Sequence, residues 1–159
     1  MVAKYDLNAA RAYRFELHDG SGQLRLIVSD DGSADFAGGH AAEYTSGITL
    51  TDTTAFHFVA VSFVISSETV KFYVDGIENA GSTAAGSIGA SIFNSSAAFT
   101  MGAQLLIGTG LTFFDGIIDD VGVFDRVLTP TEIFDLYTGA PAVASGTTGY
   151  YRSLLGVGN

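Results

Sequence analysis

The stretch that decides the fold covers residues 56–76 and reads Phe-His-Phe-Val-Ala-Val-Ser-Phe-Val-Ile-Ser-Ser-Glu-Thr-Val-Lys-Phe-Tyr-Val-Asp-Gly. Apolar side chains occupy both alternating positions of residues 56–65, which predicts a central strand covered on both faces. Residues 66–68 then turn the chain, and residues 70–74 return as a second strand. Asp75-Gly76 favours the tight turn of a hairpin, so a third strand is predicted to begin at Ile77.

Strands are predicted on both sides of this stretch. Upstream, residues 13–17 and 24–28 alternate apolar and polar side chains, which is typical of strands with one face exposed to water. Residues 80–98 consist mainly of Ala, Ser and Gly and are expected to form a long loop over a sheet edge, a linker being the alternative. Further strand signals follow at residues 99–102, 105–108 and 116–124. Three more Asp-Gly pairs predict turns, at Asp19-Gly20, Asp31-Gly32 and Asp115-Gly116.

One short helix is marked by its capping residues. Thr129 supplies an N-cap hydroxyl, Pro130 fits the first helical position, and Glu132 completes a capping box. Apolar side chains spaced i, i+3 and i+4 follow on one face, and Gly139 is placed to end the helix. The whole pattern predicts an all-β protein, an antiparallel β-sandwich of the jelly-roll type with one short helical turn between Thr129 and Tyr137.

The composition narrows the classes of function. The 159 residues include 17 acidic and 7 basic side chains, a net charge of −10, and 47% of them are apolar. So few lysines and arginines argue against nucleic-acid binding, and no apolar run approaches the roughly 18 residues of a membrane span. The lack of cysteine excludes disulfides, thiolate metal sites and cysteine nucleophiles. The first residues lack an apolar core segment, so no signal peptide is expected in this chain.

Three blocks resemble one known family in the order and spacing of their residues. Residues 56–61, Phe-His-Phe-Val-Ala-Val, resemble its Trp-His-His-Val-Ala-Val strand, and residues 70–76 resemble its Val-Lys-Leu-Tyr-Val-Asp-Gly hairpin. Residues 114–133 resemble its block Phe-x-Gly-x-Ile-Asp-Glu-Val, which continues through an Arg-x-Leu to a Glu-Ile pair. The chain is therefore similar to the laminin-G-like, concanavalin A-like lectin/glucanase jelly-roll domains, of the type carried on phage or bacterial surfaces.

The resemblance implies a jelly-roll domain over residues 1–139 and a C-terminal tail over residues 140–159. Members of the family usually begin one or two strands earlier, so the domain is expected to lack its usual first strands and to expose a sheet edge. A neighbouring subunit could supply a strand to this edge, and the tail could pack on such a partner. The implied partners are therefore other protein subunits of an assembly, together with surface glycans.

Catalysis is not expected. Jelly-roll glucanases carry a Glu-x-Asp-x-x-Glu strand that places carboxylates on one face, and the five glutamates of this chain do not fall in that pattern. Asp119 and Asp120 are adjacent on a predicted strand, so their side chains would point to opposite faces and could not act as a pair. The chain also lacks the Gly-x-Ser-x-Gly nucleophile elbow.

Calcium is the candidate cofactor, because the resemblance implies ligand binding through a calcium ion at the rim of the sandwich. Carboxylates supply the oxygen ligands that calcium prefers, and the candidate ligands are Asp30, Asp31, Asp35 and Asp119. Residues 29–35 have the composition of a calcium loop and equally that of an ordinary hairpin turn. Asp119 matches the Asp of the family's Ile-Asp-Glu-Val block, where a structural hydrogen bond is the alternative.

Glycan binding would use aromatic and polar side chains on loops, since the CH faces of sugars stack on rings. The candidate ligand-binding residues are Phe36, His40, Tyr44 and Gln104. Gln104 lies where pentraxin relatives carry amide and acidic ligands, although leucines follow it here. The chain has no tryptophan, the strongest platform residue, and His57 between two phenylalanines is expected to be a packed or edge histidine.

The sequence favours a non-enzymatic recognition or assembly module. The resemblance implies a structural, decoration or tail-associated component of a phage-like particle that binds glycans, located on a virion or at an extracellular surface. A carbohydrate-binding module of a larger secreted bacterial enzyme or adhesin is one alternative. A hydrolase is the other, and the missing carboxylate pattern argues against it.

Overall fold

The computed structural model describes residues 1–8, 10–18, 20–52, 54–106 and 109–139. The strands in these ranges are β1 (Val2–Asp6), β2 (Ala10–Leu17), β3 (Gln23–Ser29), β4 (Ala41–Thr49), β5 (Val59–Val64), β6 (Thr69–Val74), β7 (Ile77–Ser87), β8 (Phe99–Met101), β9 (Ala103–Leu106) and β10 (Thr109–Phe113). The helix is α1 (Pro130–Thr138), and a 3₁₀ turn at Ile65–Ser67 connects β5 to β6. The predicted tail over residues 140–159 and Asp19 of the first Asp-Gly pair lie outside the described residues.

Two sheets share one long strand. The strands pair in the order β10-β9-β1-β2-β3-β4-β7-β6-β5, and β8 pairs with β1 beside this path. Residues 77–80 of β7 pair with β6, whereas residues 81–87 pair with β4. Strand β7 therefore joins a large sheet, made of β1–β4 and β8–β10, to a small sheet made of β5 and β6. The ladders are antiparallel apart from one parallel pair between β1 and β9, Asp6 with Leu105.

The two sheets pack face to face around one apolar core. Its buried side chains come from β3, β4, β6 and the residue after β7, and they are Leu24, Leu26, Val28, Ala42, Tyr44, Val70, Phe72, Val74 and Ile88. Across the layers, the ring of Phe15 lies 6.4 Å from that of Phe72. The ring of Phe63 lies 5.3 Å from that of Tyr44. Alternate residues of β2, β3, β4, β5 and β6 enter this core, which confirms the predicted antiparallel β-sandwich.

The prediction that residues 56–65 form a central strand was wrong in its position. Strand β5 lies at one end of the strand order, and no described strand pairs with its other edge. Its apolar residues on both alternating positions have a different cause. Val61 and Phe63 pack into the core between the sheets, whereas Ala60 packs on the opposite face against Leu128, just before helix α1.

Two further predictions need correction, one of a loop and one of a strand. Residues 80–87 form the second half of β7 instead of a loop, because their small side chains let the strand pass close to both neighbours. Residues 88–98 contain no strand, as expected. Residues 116–124 form no strand although their apolar and β-branched side chains predicted one, and they pair with no described strand. Their apolar side chains Ile117 and Val123 are consequently exposed.

The Asp75-Gly76 turn is confirmed. Both residues have positive φ, 50° and 77°, as the tight hairpin turn requires, and β6 and β7 pair directly on either side of it. Asp31-Gly32 lies instead in a longer connection of residues 30–40 between β3 and β4. Asp115-Gly116 follows β10 without leading into a strand.

Helix α1 begins as predicted. Thr129 Oγ1 accepts a hydrogen bond from the backbone N–H of Glu132, and the Glu132 carboxylate accepts one from the backbone N–H of Thr129 at 2.8 Å. The Arg126 guanidinium pairs with Glu132, and together these contacts lower the pKa of Glu132 to about 2. Gly139 ends the helix with a φ of 67°. In the described part of the chain, no helix has the length and apolar character needed to cross a membrane.

The junction at Gly81 provides a test of this architecture. A Cβ on Gly81 would lie 2.5 Å from Val70 Cγ1 and 2.8 Å from Phe72 Cε2, so a side chain has no room where β7 leaves β6 and joins β4. We predict that Gly81→Ala lowers the free energy of unfolding by about 1–3 kcal/mol, the usual cost of overpacking a core. Urea titration followed by circular dichroism measures this change.

Gly47→Ala is the matched control. Gly47 lies on β4, and its added Cβ would meet the carbonyl oxygen of Ala80 at 3.4 Å, an ordinary contact. This substitution should change the free energy of unfolding by no more than about 0.5 kcal/mol. Equal losses of stability in the two variants would contradict the close approach of β7 to β6.

Candidate functional site

The connection between β3 and β4 brings three titratable side chains together at one end of the large sheet. One oxygen of Asp30, one oxygen of Asp31 and one ring nitrogen of His40 all lie within 4.8 Å of one another. These three residues are called the rim cluster here. Within the described ranges, no other three aspartate, glutamate or histidine side chains come this close.

Hydrogen bonds fix the rim cluster to the sandwich. His40 Nδ1 lies 2.9 Å from Asp30 Oδ1 and 3.7 Å from Asp31 Oδ2. The second carboxylate oxygen of Asp30 accepts a hydrogen bond from the backbone N–H of Gly89, just after β7. The backbone N–H of Asp30 donates to the His40 carbonyl at 3.1 Å, which closes the base of the connection. Three separate parts of the chain therefore hold the cluster in place.

Short polar side chains shape the connection because they bind nearby backbone groups. Asp31 Oδ1 accepts a hydrogen bond from the backbone N–H of Ser33 at 2.7 Å, and Asp35 Oδ1 accepts one from Gly38 at 2.7 Å. Gly32 between them has a φ of 88°, in the left-handed region that favours glycine. These local turns keep Asp31 and Asp35 at the surface.

The charges of the rim cluster shift its protonation equilibria. The hydrogen bond to Asp30 raises the pKa of His40, and the negative charges of Asp30, Asp31 and Asp35 raise it further. Hydrogen bonds from Ser33 lower the pKa of Asp31. The histidine therefore takes up a proton more readily than a free imidazole does.

The donor set of the cluster fits a divalent cation. Two carboxylates offer the oxygen ligands that calcium prefers, whereas an imidazole nitrogen is a ligand for transition metals such as Mn²⁺ or Zn²⁺. To coordinate through Nδ1, His40 would have to lose its proton and its hydrogen bond with Asp30. Asp30 and Asp31 can thus hold a cation, with His40 acting as a third ligand or as a competing positive charge.

Two of the predicted metal ligands do not join the cluster. Asp35 lies in the same connection, but its carboxylate is bound to the backbone N–H of Gly38. Asp119 lies after β10, where it lines a groove with Met101 and Asp120. One of its oxygens accepts a hydrogen bond from the backbone N–H of Asp120 at 2.9 Å. Of the four predicted ligands, the structure brings together Asp30 and Asp31.

Two of the predicted glycan-contacting residues, Phe36 and His40, lie in the β3–β4 connection. The Phe36 side chain is half-buried and packs on the outer face of the large sheet against Tyr5 and Ile27. Part of its ring is therefore already in contact with the sheet. The His40 side chain is exposed and belongs to the rim cluster.

The other two, Tyr44 and Gln104, are buried. The prediction that Tyr44 lies on a loop was wrong, because residues 41–49 form β4 and place this ring in the core. Its hydroxyl donates to Glu68 at 2.9 Å, and burial together with this contact raises the pKa of Tyr44. Gln104 lies on β9 and accepts a hydrogen bond from Arg14. Neither side chain offers a free face to a ligand.

A charged row crosses the outer face of the large sheet and was not predicted as a unit. Arg25 Nε donates to Glu16 at 2.8 Å, and the Arg25 guanidinium lies 3.5 Å from Glu43. Arg14 Nε lies 3.2 Å from Glu16 Oε2, at an angle that gives an ion pair but no hydrogen bond. The Arg14 guanidinium also lies 4.9 Å from the centre of the Tyr5 ring. These mostly buried side chains connect neighbouring strands, and their alternation in the sequence was the signal for the row.

His57 packs as expected. Its Nδ1 lies 2.8 Å from Asp75 Oδ2, and the other oxygen of Asp75 accepts a hydrogen bond from the backbone N–H of Phe58 at 3.0 Å. The histidine thus ties the start of β5 to the Asp75-Gly76 turn.

Comparison with known proteins finds one family whose model covers most of the chain. The family model of the concanavalin A-like lectin/glucanases superfamily matches residues 2–134. Neither the curated proteins nor the solved structures contain a match to the chain. The matched residues run from β1 into α1 and include the rim cluster and both hairpin strands of residues 56–76. The resemblance read from the sequence is therefore confirmed, and the chain belongs to the concanavalin A-like lectin/glucanase superfamily.

Proposed function

We propose that this domain is a non-enzymatic recognition module that binds glycans at the rim cluster with the help of a divalent cation. The lectin-type fold of its family supports a recognition role. The observation that carries the proposal is the convergence of Asp30, Asp31 and His40 within 4.8 Å. Carboxylates and imidazoles orient sugar hydroxyls directly, and a calcium ion held by carboxylates keeps coordination positions open for them.

The exposure of the three side chains supports this use. Asp30 is mostly buried and bound to the backbone of Gly89, whereas Asp31 and His40 face the solvent. Asp30 therefore acts as the anchor of the cluster. Asp31 and His40 are the groups that a ligand would meet first.

The contacts of the five glutamates support a role without catalysis. A retaining glycosidase needs two carboxyl groups about 5–5.5 Å apart, one of which protonates the leaving group. Each glutamate here is engaged within the fold, in the pairs Glu16–Arg25, Glu43–Arg25, Glu68–Tyr44, Glu78–Lys71 and Glu132–Arg126. Side chains committed to such contacts are poorly suited to act as an acid or a nucleophile.

A second candidate function is assembly with other protein subunits. The exposed apolar side chains Phe113, Ile117 and Val123 favour it, because isolated domains seldom leave so many large apolar groups uncovered in one segment. We propose on this basis that the module works in a larger assembly, such as a phage-like particle on a virion or at an extracellular surface. A carbohydrate-binding module of a larger secreted bacterial enzyme or adhesin is the alternative.

A glycan array tests recognition at the rim cluster. The protein is applied with calcium and again with EDTA, beside the variant Asp30→Asn, which removes the anchoring charge. We expect a defined set of glycans whose binding falls by at least about tenfold with EDTA or in the variant, since cation and carboxylate act together.

Asp125→Asn is the control for the array, because Asp125 is an exposed aspartate outside the rim cluster. Its glycan profile should match that of the parent protein. Identical profiles for Asp30→Asn and the parent would contradict a site at the rim cluster. Size-exclusion chromatography separates the two functions, since glycan binding by a monomer favours a lectin module and stable oligomers without glycan binding favour assembly.

The pH dependence of cation binding tests the role of His40. Since its pKa is raised, His40 stays protonated to a higher pH than an ordinary histidine, and its charge then opposes a cation on Asp30 and Asp31. We predict that calcium and Mn²⁺ affinities, measured by calorimetry between about pH 5.5 and 8.5, rise as the pH increases through this pKa.

The variant His40→Gln distinguishes a ligand from a competing charge. If His40 is a ligand, the variant loses Mn²⁺ affinity at high pH; if it only competes, the variant gains calcium affinity at low pH. In both cases the pH dependence becomes weaker. An unchanged pH profile in His40→Gln would contradict any part for this side chain in cation binding.

A further inference from the structure

The small sheet covers the core-facing side of the large sheet near β3 and β4 but does not reach β8. One row of directly paired residues crosses this face from β4 to β8, and it consists of Tyr44, Leu26, Phe15, Val2 and Met101. The exposed fraction along the row is 0% at Tyr44, 5% at Leu26 and 58% at Met101. The small sheet therefore covers the β3–β4 end of the row and leaves the β8 end open.

A groove lies at this open end, between β8 and residues 114–121. Its lining is apolar at Met101, Phe114, Ile118 and Val121, and it carries carboxylates at Asp119 and Asp120. Phe99, two residues before Met101 on the same face of β8, is 44% exposed. Among the described strands β8 pairs with β1 alone, and residues 114–121 belong to no ladder. Backbone groups on the outer edge of β8 are thus available to an extended peptide, whereas the backbone N–H groups of Phe114 and Asp120 already donate to Gly102 and Asp119.

The charge on one side of the groove favours some occupants over others. Residues 114–126 contain four aspartates and one basic residue, Arg126, which is paired with Glu132. On the β8 side, Lys4 lies opposite Phe99 and donates to the Ala97 carbonyl at 3.0 Å, so the acidic side is that of residues 114–126. A second copy of this chain, with a net charge of −10, would bring further negative charge to the groove. A segment that carries lysine or arginine beside its apolar residues would instead be attracted.

We infer that the groove beside β8 is a docking surface for an extended segment of another protein, one that alternates apolar and basic side chains. The apolar side chains cover Met101 and Phe99, and the basic ones face Asp119 and Asp120. The backbone of the segment runs along the open edge of β8. This inference rests on the assembly half of the proposed function and is independent of glycan binding at the rim cluster.

Fluorescence anisotropy with two labelled peptides tests the inference on the full chain. One peptide of about nine residues alternates valine and lysine, and the other alternates valine and glutamate, a length typical of a strand. We expect saturable binding of the valine–lysine peptide that weakens by at least about tenfold between about 0.05 and 0.5 M NaCl. The valine–glutamate peptide should bind at least about tenfold more weakly.

The variant Met101→Asp distinguishes docking from general charge attraction. It adds a negative charge, so a peptide held by charge alone would bind more tightly, whereas a peptide seated on Met101 binds more weakly. Ile77→Asp is the matched control, because Ile77 is an exposed apolar residue at the β6–β7 turn, 68% against 58% for Met101. Protection of Met101 from oxidation by peroxide, in the presence of saturating peptide, places the contact at the groove.

Several outcomes would overturn the inference. Equal binding of the two peptides, or equal loss in Met101→Asp and Ile77→Asp, would remove the groove as their site. A dimer of the free protein that Met101→Asp dissolves would assign the groove to a second copy. Slow oxidation of Met101 in the free protein would show that the chain covers it already. Unchanged peptide binding by Asp30→Asn separates this result from a failure of glycan recognition.

Discussion

Strand β7 holds the sandwich together because it belongs to both sheets. Residues 77–80 pair with β6 and residues 81–87 pair with β4, so the strand carries the chain from the small sheet into the large one. The change of partner occurs at Gly81, whose Cα lies against Val70 and Phe72 with no space for a side chain. A larger residue there would push the two layers apart, and the core between β3, β4 and β6 would lose its contacts.

The rim cluster depends on the same strand. The second half of β7 runs beside β4 and ends next to the β3–β4 connection, where Gly89 donates its backbone N–H to Asp30. Gly86 passes so close to Ala41 and Phe36 that an added Cβ would overlap the Ala41 carbonyl oxygen. The run of small residues that looked like a loop in the sequence is thus what lets β7 approach the connection and place a backbone donor beside the acidic anchor.

Local signals in the sequence were sufficient for the turns and the helix, and less so for the position of each strand. The Asp75-Gly76 turn and the capping box of Thr129 and Glu132 depend on residues a few positions apart, and both were predicted correctly. Strand β5 was misplaced because apolar residues on both alternating positions indicate cover on both faces, and here the cluster that contains Leu128 and Ile133 partly covers the second face at Ala60. Residues 116–124 have the pattern of a strand, but pairing needs a neighbour, and no local pattern records whether one is present.

The residues of the candidate site could be predicted from the sequence, but which of them lie together in space could not. Asp30, Asp31 and His40 were each expected to contact a ligand, but ten residues separate Asp30 from His40, and only the closure of the β3–β4 connection joins them. Tyr44 and Gln104 differ from this expectation in their placement. Tyr44 was expected on a loop and Gln104 at a ligand position of pentraxin relatives, yet both side chains are buried and bond to residues distant in the sequence, Glu68 and Arg14 respectively.

The pairing of β1 has a consequence for the order in which the fold forms. Strands β5, β6 and β7 pair with their immediate neighbours along the chain, so they can form early by closing short loops. Strand β1 pairs with β2 on one edge, but on the other it meets β8 and β9, about a hundred residues away, as in the pair of Val2 with Met101. Such distant contacts form slowly. We therefore expect the edge of β1 that meets β8 and β9 to pair late in folding, which leaves it open to a competing strand until then.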